Sequence, residues 1–216
     1  MKPNLLLTVL GVAGTLLISA TLPGSARGQD APRAAFVTPA TPAERDILST
    51  GERAIDRVAV SLVNEVRAAL SAGEPEDAVD MCHLKGLTAN GGRVSGMPRV
   101  SGVKFTSLKL RAHENMPDAA DKLALEEIAR TLGAGDAPPK ALVQRIDTAD
   151  SAPEWRVYKP LGVSAKCLAC HGNPADQSAK LRTKLSIFYP EDQATGYKAQ
   201  DWRGLVRVIV AAEPAK

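Results

Sequence analysis

Cys167-Leu168-Ala169-Cys170-His171 is the stretch that constrains both the fold and the chemistry of this chain. A predicted strand at residues 155–158 precedes it. Two further stretches rich in β-branched and aliphatic residues follow it, at 185–189 and 205–211, and are also predicted as strands. The N-terminal half shows helical patterning instead. We therefore predict an α+β domain in which strands surround the cysteine loop.

The C-x-x-C-H pattern of this loop is typical of c-type haem attachment. Two thiols three residues apart on one turn can each reach a vinyl group on the same porphyrin edge. The adjacent histidine then lies under the ring, with an imidazole nitrogen directed at the iron. The sequence thus predicts one covalent haem c, attached through Cys167 and Cys170, with His171 as an axial ligand.

Two other kinds of site use closely spaced cysteines. A thioredoxin-like pair would need Cys167 and Cys170 at a helix start after a strand, and would not require His171. A zinc site could combine both cysteines with Cys82 and a histidine, although the second C-x-x-C or H-x-x-H pair common in such sites is missing. Haem attachment accounts for the whole pattern and is the favoured interpretation.

The N-terminus has the order of a secretory signal peptide. Lys2 precedes an apolar stretch at residues 5–22, and the small residues Ala26 and Gly28 come just before Gln29. An uncleaved anchor is the alternative, because the apolar stretch is close to the length of a bilayer span. We predict a signal peptide at residues 1–28 and a periplasmic protein. Export agrees with the motif, because c-type haem is attached outside the cytoplasm.

Composition adds two constraints. The 216 residues have a formal net charge of +3, without a Lys/Arg block interleaved with aromatics, so nucleic acid is not an expected partner. The three cysteines are an odd number for an oxidising compartment, and each is expected to have a role. We divide the chain into the signal peptide, a linker at residues 29–40 and one domain at 41–216.

Local patterns predict most of the remaining elements. Thr41-Pro42-Ala43-Glu44 forms a capping box with proline at the first helical position, and an apolar stripe continues the helix to near Gly73. A second helix is predicted from Pro75 through Cys82 towards residue 90. The other predictions are a flexible loop at 91–102, a strand at 104–111, and helices at 117–132 and 139–146.

A haem iron has a second axial position, and no methionine follows His171. The upstream candidates are Met81, Cys82, His83, Met97, His113 and Met116. On a helix, Cys82 would share its face with Ala78 and Gly86, a strip of small side chains against which a flat porphyrin could lie. The alternative is that Cys82 is a buried small hydrophobe, as free cysteines commonly are.

The chain resembles the family of c-type haem domains with a PAS-like fold, whose members are exported proteins or sensory parts of membrane histidine kinases. The resemblance covers residues 58–210 and implies that His171 and Cys82 are the axial ligands. The matching stretches are Ala78-Val79-Asp80-Met81-Cys82, Ser107-Leu108-Lys109-Leu110-Arg111, Asn115-Met116-Pro117-Asp118, Tyr158-Lys159-Pro160-Leu161, Cys167 to Gly172, Tyr189 to Tyr197 and Asp201-Trp202-Arg203-Gly204.

The chain departs from the family after the strand arginine, where Ala112-His113 replaces Asn-Pro. His113 could be a rival axial ligand, a partner of a haem propionate or a solvated residue. Arg111 could pair with a propionate through its guanidinium fork, or form a surface salt bridge.

These observations together predict a PAS-like antiparallel sheet with flanking helices and an N-terminal helical extension, holding one haem. The expected activity is one-electron redox chemistry, as electron transfer or as redox or ligand sensing. The expected partner is a redox protein or a membrane sensor protein. A peroxidase-type enzyme with an open axial position is the alternative.

Overall fold

The computed structural model describes residues 32–79, 94, 96–149 and 151–212, and their strands form one antiparallel sheet with helices on both faces. The strand order is β1-β3-β4-β5-β2. The strands are β1 (Arg33–Val37), β2 (Val100–Thr106), β3 (Leu142–Thr148), β4 (Ser151–Gly162) and β5 (Trp202–Val210). The predicted α+β class is confirmed. The predicted signal peptide lies outside the described residues.

The helices are α1 (Pro42–Ala72), α2 (Ala119–Gly133), α3 (Leu168–His171) and α4 (Ala179–Phe188). Short 3₁₀ turns occupy Pro75–Ala78, His113–Asn115, Ala165–Cys167 and Pro174–Asp176. Within the described ranges, no helix is both long enough and apolar enough to cross a membrane.

Side-chain alternation along the central strands divides the core into two layers. Val157 and Val206 face α1 within one buried apolar cluster, whereas their neighbours Tyr158 and Leu205 pack with α2 on the opposite face. Successive side chains of a strand point to opposite faces, so a single pair of strands supports both helices. The sheet is therefore buried on both sides at its centre.

The predicted capping box begins α1 as expected. Thr41 Oγ1 accepts a hydrogen bond from the Glu44 N–H at 3.2 Å, and Glu44 Oε2 accepts one from the Thr41 N–H at 2.9 Å. Gly73 follows the last helical residue. The predicted helices at 41–73 and 117–132 are thus confirmed, and the predicted strands at 155–158 and 205–211 lie within β4 and largely within β5.

Two predicted elements have the wrong type. Residues 139–146, predicted as a helix from the proline at 139, contain most of β3, which pairs with both β1 and β4. Residues 185–189, predicted as a strand, belong largely to α4. There Ser178 caps the helix, its Oγ accepting from the Leu181 N–H at 3.0 Å, and Leu181 and Leu185 are buried one turn apart.

Three boundaries also differ from the prediction. Residues 33–37 of the predicted linker form β1, a strand at the edge of the sheet. Because none of its side chains is fully buried, its sequence shows little of the apolar periodicity from which a strand is predicted. β2 begins at Val100, inside the predicted loop, and ends at Thr106, where the Ser107 hydroxyl accepts from the Lys109 N–H and the chain turns. The predicted second helix begins as the 3₁₀ turn Pro75–Ala78, and its continuation through Cys82 lies outside the described residues.

Gly51 lets α1 approach the sheet closely. A Cβ at this position would lie 2.4 Å from Cγ2 of Val157, well inside van der Waals contact. Ala in place of a helical glycine normally stabilises a helix by about 1 kcal/mol, but here the overpacking dominates. We expect Gly51→Ala to lower the free energy of unfolding by about 1–3 kcal/mol in urea titrations.

Gly133 provides the matched control, because a Cβ built there meets nothing within 4 Å. Gly133→Ala should leave the free energy of unfolding unchanged or raise it by up to about 1 kcal/mol. Equal effects of the two substitutions would contradict the close packing of α1 on β4.

Candidate functional site

A cavity of about 340 Å³ lies between the C-terminal half of α1, the ends of β2, β4 and β5, and the cysteine loop. Its size is in the range of small-molecule and cofactor sites. Four of the predicted site residues line it: Arg111, Cys167, Cys170 and His171. The fifth, Cys82, lies outside the described residues.

The roof of the cavity is apolar. Leu62, Val66 and Leu70 follow one another at four-residue spacing on α1 and line it from one side. Phe105 and Leu161 contribute from the strand ends. A long helix thus supplies both the core of the fold in its first half and an apolar wall of the cavity in its second.

The two cysteines have different environments. Cys170 is buried and packs with Val79, Leu181 and Tyr189, and burial raises the pKa of its thiol. Cys167 is partly exposed, and its Sγ lies 3.1 Å from the Ser164 hydroxyl. No disulfide joins them in the described part of the chain, and both lie on one turn that lines the same cavity.

The His171 imidazole is held in one tautomer. Its Nδ1 lies 2.7 Å from the backbone oxygen of Ala194, and a carbonyl can only accept, so Nδ1 carries the proton. Burial, assisted by the charges of Arg111 and Arg203, lowers the pKa of His171 to about 3. The ring is therefore neutral at physiological pH, and its Nε2 lone pair is available to a metal ion.

Backbone hydrogen bonds fix the cysteine loop to the segment that supplies Ala194. The Tyr197 N–H donates to His171 O at 3.0 Å, and the Gly196 N–H donates to Gly172 O at 2.8 Å. Gly196 has φ = +73°, a left-handed conformation that glycine adopts at little cost. The histidine is thus positioned by three bonds to residues 194–197, one from its ring and two through the adjoining backbone.

Arg111 ties the same two segments together. Its Nε and Nη2 lie 3.0 and 2.9 Å from Asp192 Oδ2, and Nη2 also donates to Cys170 O at 2.6 Å. The Arg111 and Asp192 side chains are 7% and 11% exposed, so this ion pair is buried rather than a surface salt bridge. Nη1 lies 3.5 Å from His171 Nε2. The predicted pairing of Arg111 with a propionate stays a prediction.

Sequence reasoning did not single out Arg203, a charged residue of the cavity lining. Arg203 donates from Nη1 to Ser107 Oγ at 2.7 Å and to Lys109 O at 2.9 Å. Thr106 also borders the cavity, but its Oγ1 has no exposed surface there and has no hydrogen-bond partner among the described residues. Arg203 lies within a stretch matched by the family resemblance, which was the available signal. Thr106 gave none, because its burial depends on the sheet.

The remaining candidates for the sixth ligand are not in the described cavity lining. His113 and Met116 are exposed, and Met97 packs against the core cluster under α1. Met81, Cys82 and His83 lie outside the described residues.

Comparisons with known proteins agree with this geometry. The family model described as Tll0287-like matches residues 81–211. The crystal structure of the cyanobacterial heme-protein Tll0287 aligns with 82% of this chain and 99% of its own, at 20% sequence identity and a TM-score of 0.50. No curated protein matches. The structural likeness confirms the predicted PAS-like fold, an antiparallel sheet with flanking helices.

Breaking the buried Arg111–Asp192 pair should destabilise the protein strongly. Removing one partner leaves an uncompensated buried charge, so Asp192→Asn and Arg111→Gln should each lower the free energy of unfolding by about 3 kcal/mol in urea titrations. Arg145→Gln is the control, since Arg145 and its partner Asp147 are about half exposed and their pair is expected to contribute less than about 1 kcal/mol. Similar losses at both pairs would contradict the structural role of Arg111.

Proposed function

This chain belongs to the Tll0287-like family, and we propose that it is an exported cytochrome that binds one haem c through Cys167 and Cys170 and performs one-electron redox chemistry. The observation that supports this most strongly is His171, a neutral, partly buried imidazole whose Nδ1 proton is held by Ala194 O. The solved relative is a heme-protein by its own description.

The residues of the cavity fit a haem. Apolar side chains make up most of its walls, two thiols lie on one turn, and His171 Nε2 keeps a lone pair, with Arg111 Nη1 3.5 Å away. Its charged lining residues, in the described part of the chain, are the cations Arg67, Arg111, Lys166 and Arg203. A porphyrin with two propionates needs this combination of an apolar body and positive charge at the rim.

The protein's own groups have separate tasks at this site. When bound, haem supplies one-electron chemistry through its iron. The Ala194 carbonyl orients the His171 ring and raises its basicity as a ligand. Arg111 keeps the cysteine loop on residues 192–194. Leu62, Val66 and Leu70 would cover a bound haem with apolar side chains, and an apolar shell of this kind influences the reduction potential of a metal centre.

Cys82 is proposed as the second axial ligand. The proposal rests on the family resemblance and on the small residues expected beside Cys82 on a helix. Ala78, four residues earlier, is 1% exposed and lines the cavity.

A thiolate favours ferric iron and gives a low reduction potential, which suits a redox or ligand sensor better than an ordinary carrier. A membrane sensor protein is then the proposed partner, and a redox protein would serve the alternative of electron transfer.

Covalent haem is the first test. Protein matured in an exporting host should retain its haem through acid–acetone extraction and show a haem mass adduct, because two thioethers hold it. A Cys167→Ala/Cys170→Ala variant should lose the adduct, whereas Ser164→Ala should keep it. Extractable haem in the wild-type protein, or zinc in a one-to-one ratio without haem, would refute the proposed cofactor.

The Cys82 ligand can be tested in both oxidation states. Cys82→Ala should change the low-spin ferric electron paramagnetic resonance spectrum, while His113→Ala should leave it unchanged. Reduction raises the proton affinity of a metal-bound thiol, so the reduced wild-type protein should release Cys82 and bind carbon monoxide. A ferrous form that stays inert to carbon monoxide would favour simple electron transfer.

Export has its own test. N-terminal sequencing of protein from the native periplasm should find Gln29 as the first residue, because Ala26 and Gly28 place small side chains before the cleavage point. Recovery in the membrane fraction with residues 5–22 retained would show that this segment is an anchor.

A further inference from the structure

We propose that Tyr197 is a positioning residue for the haem ligand, and that its side chain fixes the plane of the His171 imidazole. The inference rests on the proposed function, because the direction of this plane has a chemical consequence only when Nε2 binds iron. Tyr197 is not among the described residues that line the cavity. Its effect on the iron therefore passes through His171.

The Tyr197 ring lies beside the His171 ring. The two ring centroids are 6.3 Å apart and the ring planes meet at 84°, the edge-to-face arrangement that aromatic pairs favour. The Tyr197 N–H also donates to His171 O at 3.0 Å. This backbone hydrogen bond keeps the Tyr197 side chain close to the imidazole.

The hydrogen bond from His171 Nδ1 leaves one motion of the imidazole open. It fixes the tautomer and the position of one ring atom, 2.7 Å from Ala194 O. The ring can still tilt about that atom, because the second side-chain torsion of histidine is broadly distributed. A second contact on the ring, from Tyr197, restricts this tilt. Ala194 thus determines which nitrogen is left for the iron, and Tyr197 determines the plane of the ring.

Two cations hold the Tyr197 ring in turn. Lys109 Nζ lies 4.4 Å from the ring centroid and donates to Thr195 O at 2.6 Å. Arg203 Cζ lies 5.4 Å from the same centroid, and Arg203 Nη1 donates to Lys109 O at 2.9 Å. Both cations are within the distance at which a positive charge is attracted to an aromatic ring. Because each is also bonded to a backbone oxygen, the pair restrains Tyr197, and the restrained ring limits the motion of His171.

Arg111 is the weaker candidate for orienting the imidazole plane. Its Nη1 lies 3.5 Å from His171 Nε2, the nitrogen that would bind iron. Iron would take the lone pair of Nε2, so a hydrogen bond from Arg111 to that nitrogen could not remain. The contact with Tyr197 does not use Nε2 and remains possible when the nitrogen is coordinated.

Electron paramagnetic resonance of the matured ferric protein tests the proposal, because the orientation of a ligating histidine tunes its metal. Tyr197→Leu should shift the g-values or give more than one ferric species. Tyr197→Phe keeps the ring and loses only the hydroxyl, so it should reproduce the wild-type spectrum. Phe36→Leu is the matched control, since it removes an exposed aromatic ring on β1 and should change nothing. A wild-type spectrum in Tyr197→Leu would overturn the inference.

Exchange of the His171 Nδ1 proton with water gives a second measurement, made by nuclear magnetic resonance on the reduced, diamagnetic carbon monoxide complex. A ring that is free to tilt opens its hydrogen bond to Ala194 more often. Tyr197→Leu should therefore exchange this proton at least tenfold faster than the wild type, and Tyr197→Phe should not. Equal exchange rates in Tyr197→Leu and the wild type would contradict the proposed role.

The haem mass adduct of each protein is measured first. A wild-type protein without the adduct refutes the proposed function, whereas a haem-loaded Tyr197→Leu with wild-type spectrum and exchange refutes the positioning role alone. If Tyr197→Leu does not load haem, Lys109→Ala replaces it, because this change keeps Tyr197 and removes one of the cations that hold its ring. It should produce the same spectral shift at smaller size, and a wild-type spectrum there would also overturn the inference.

Discussion

The hydrogen bond from His171 Nδ1 to the Ala194 carbonyl is the contact on which the site depends. It fixes the tautomer, so Nε2 keeps its lone pair, and burial with two nearby guanidinium groups holds the ring neutral. Two backbone hydrogen bonds join residues 171–172 to residues 196–197 and hold the His171 ring next to the Ala194 carbonyl. The buried Arg111–Asp192 pair holds the same segments together from the other side. This structural network positions the imidazole for the proposed ligand role.

The fold supplies the space around that ligand. Helix α1 continues past the core cluster it forms with the sheet, and its later turns wall the cavity. The central strands end at the cavity as well, where Gly204 permits close contact between β5 and β2. The architecture therefore places an apolar wall, two thiols and several cations around one imidazole nitrogen, which is the arrangement that the proposed haem attachment requires.

Local signals predicted the parts of this structure that are determined locally. The capping box at Thr41 and Glu44 and the apolar spacing of α1 need no distant partner. The C-x-x-C-H pattern identified three residues that line the cavity, and the family resemblance added Arg111. Two strands that depend on distant pairing, β1 and β3, were missed. Each of these segments forms a strand because a neighbouring strand pairs with it. Helix α4 was predicted as a strand from the apolar residues at 185–189, because the Ser178 cap that begins the helix was overlooked. Arg203 and Thr106 come close together only because β2 pairs with β5, and sequence spacing does not show this pairing.

A crystal structure of the protein matured in an exporting host tests the central claim most directly. The account predicts a porphyrin in the cavity under the later turns of α1, thioether bonds to Cys167 and Cys170, iron on His171 Nε2, and Nδ1 still donating to Ala194 O. A cavity without porphyrin, a metal held by the cysteine thiolates alone, or a His171 ring whose Nε2 faces away from the iron would contradict it.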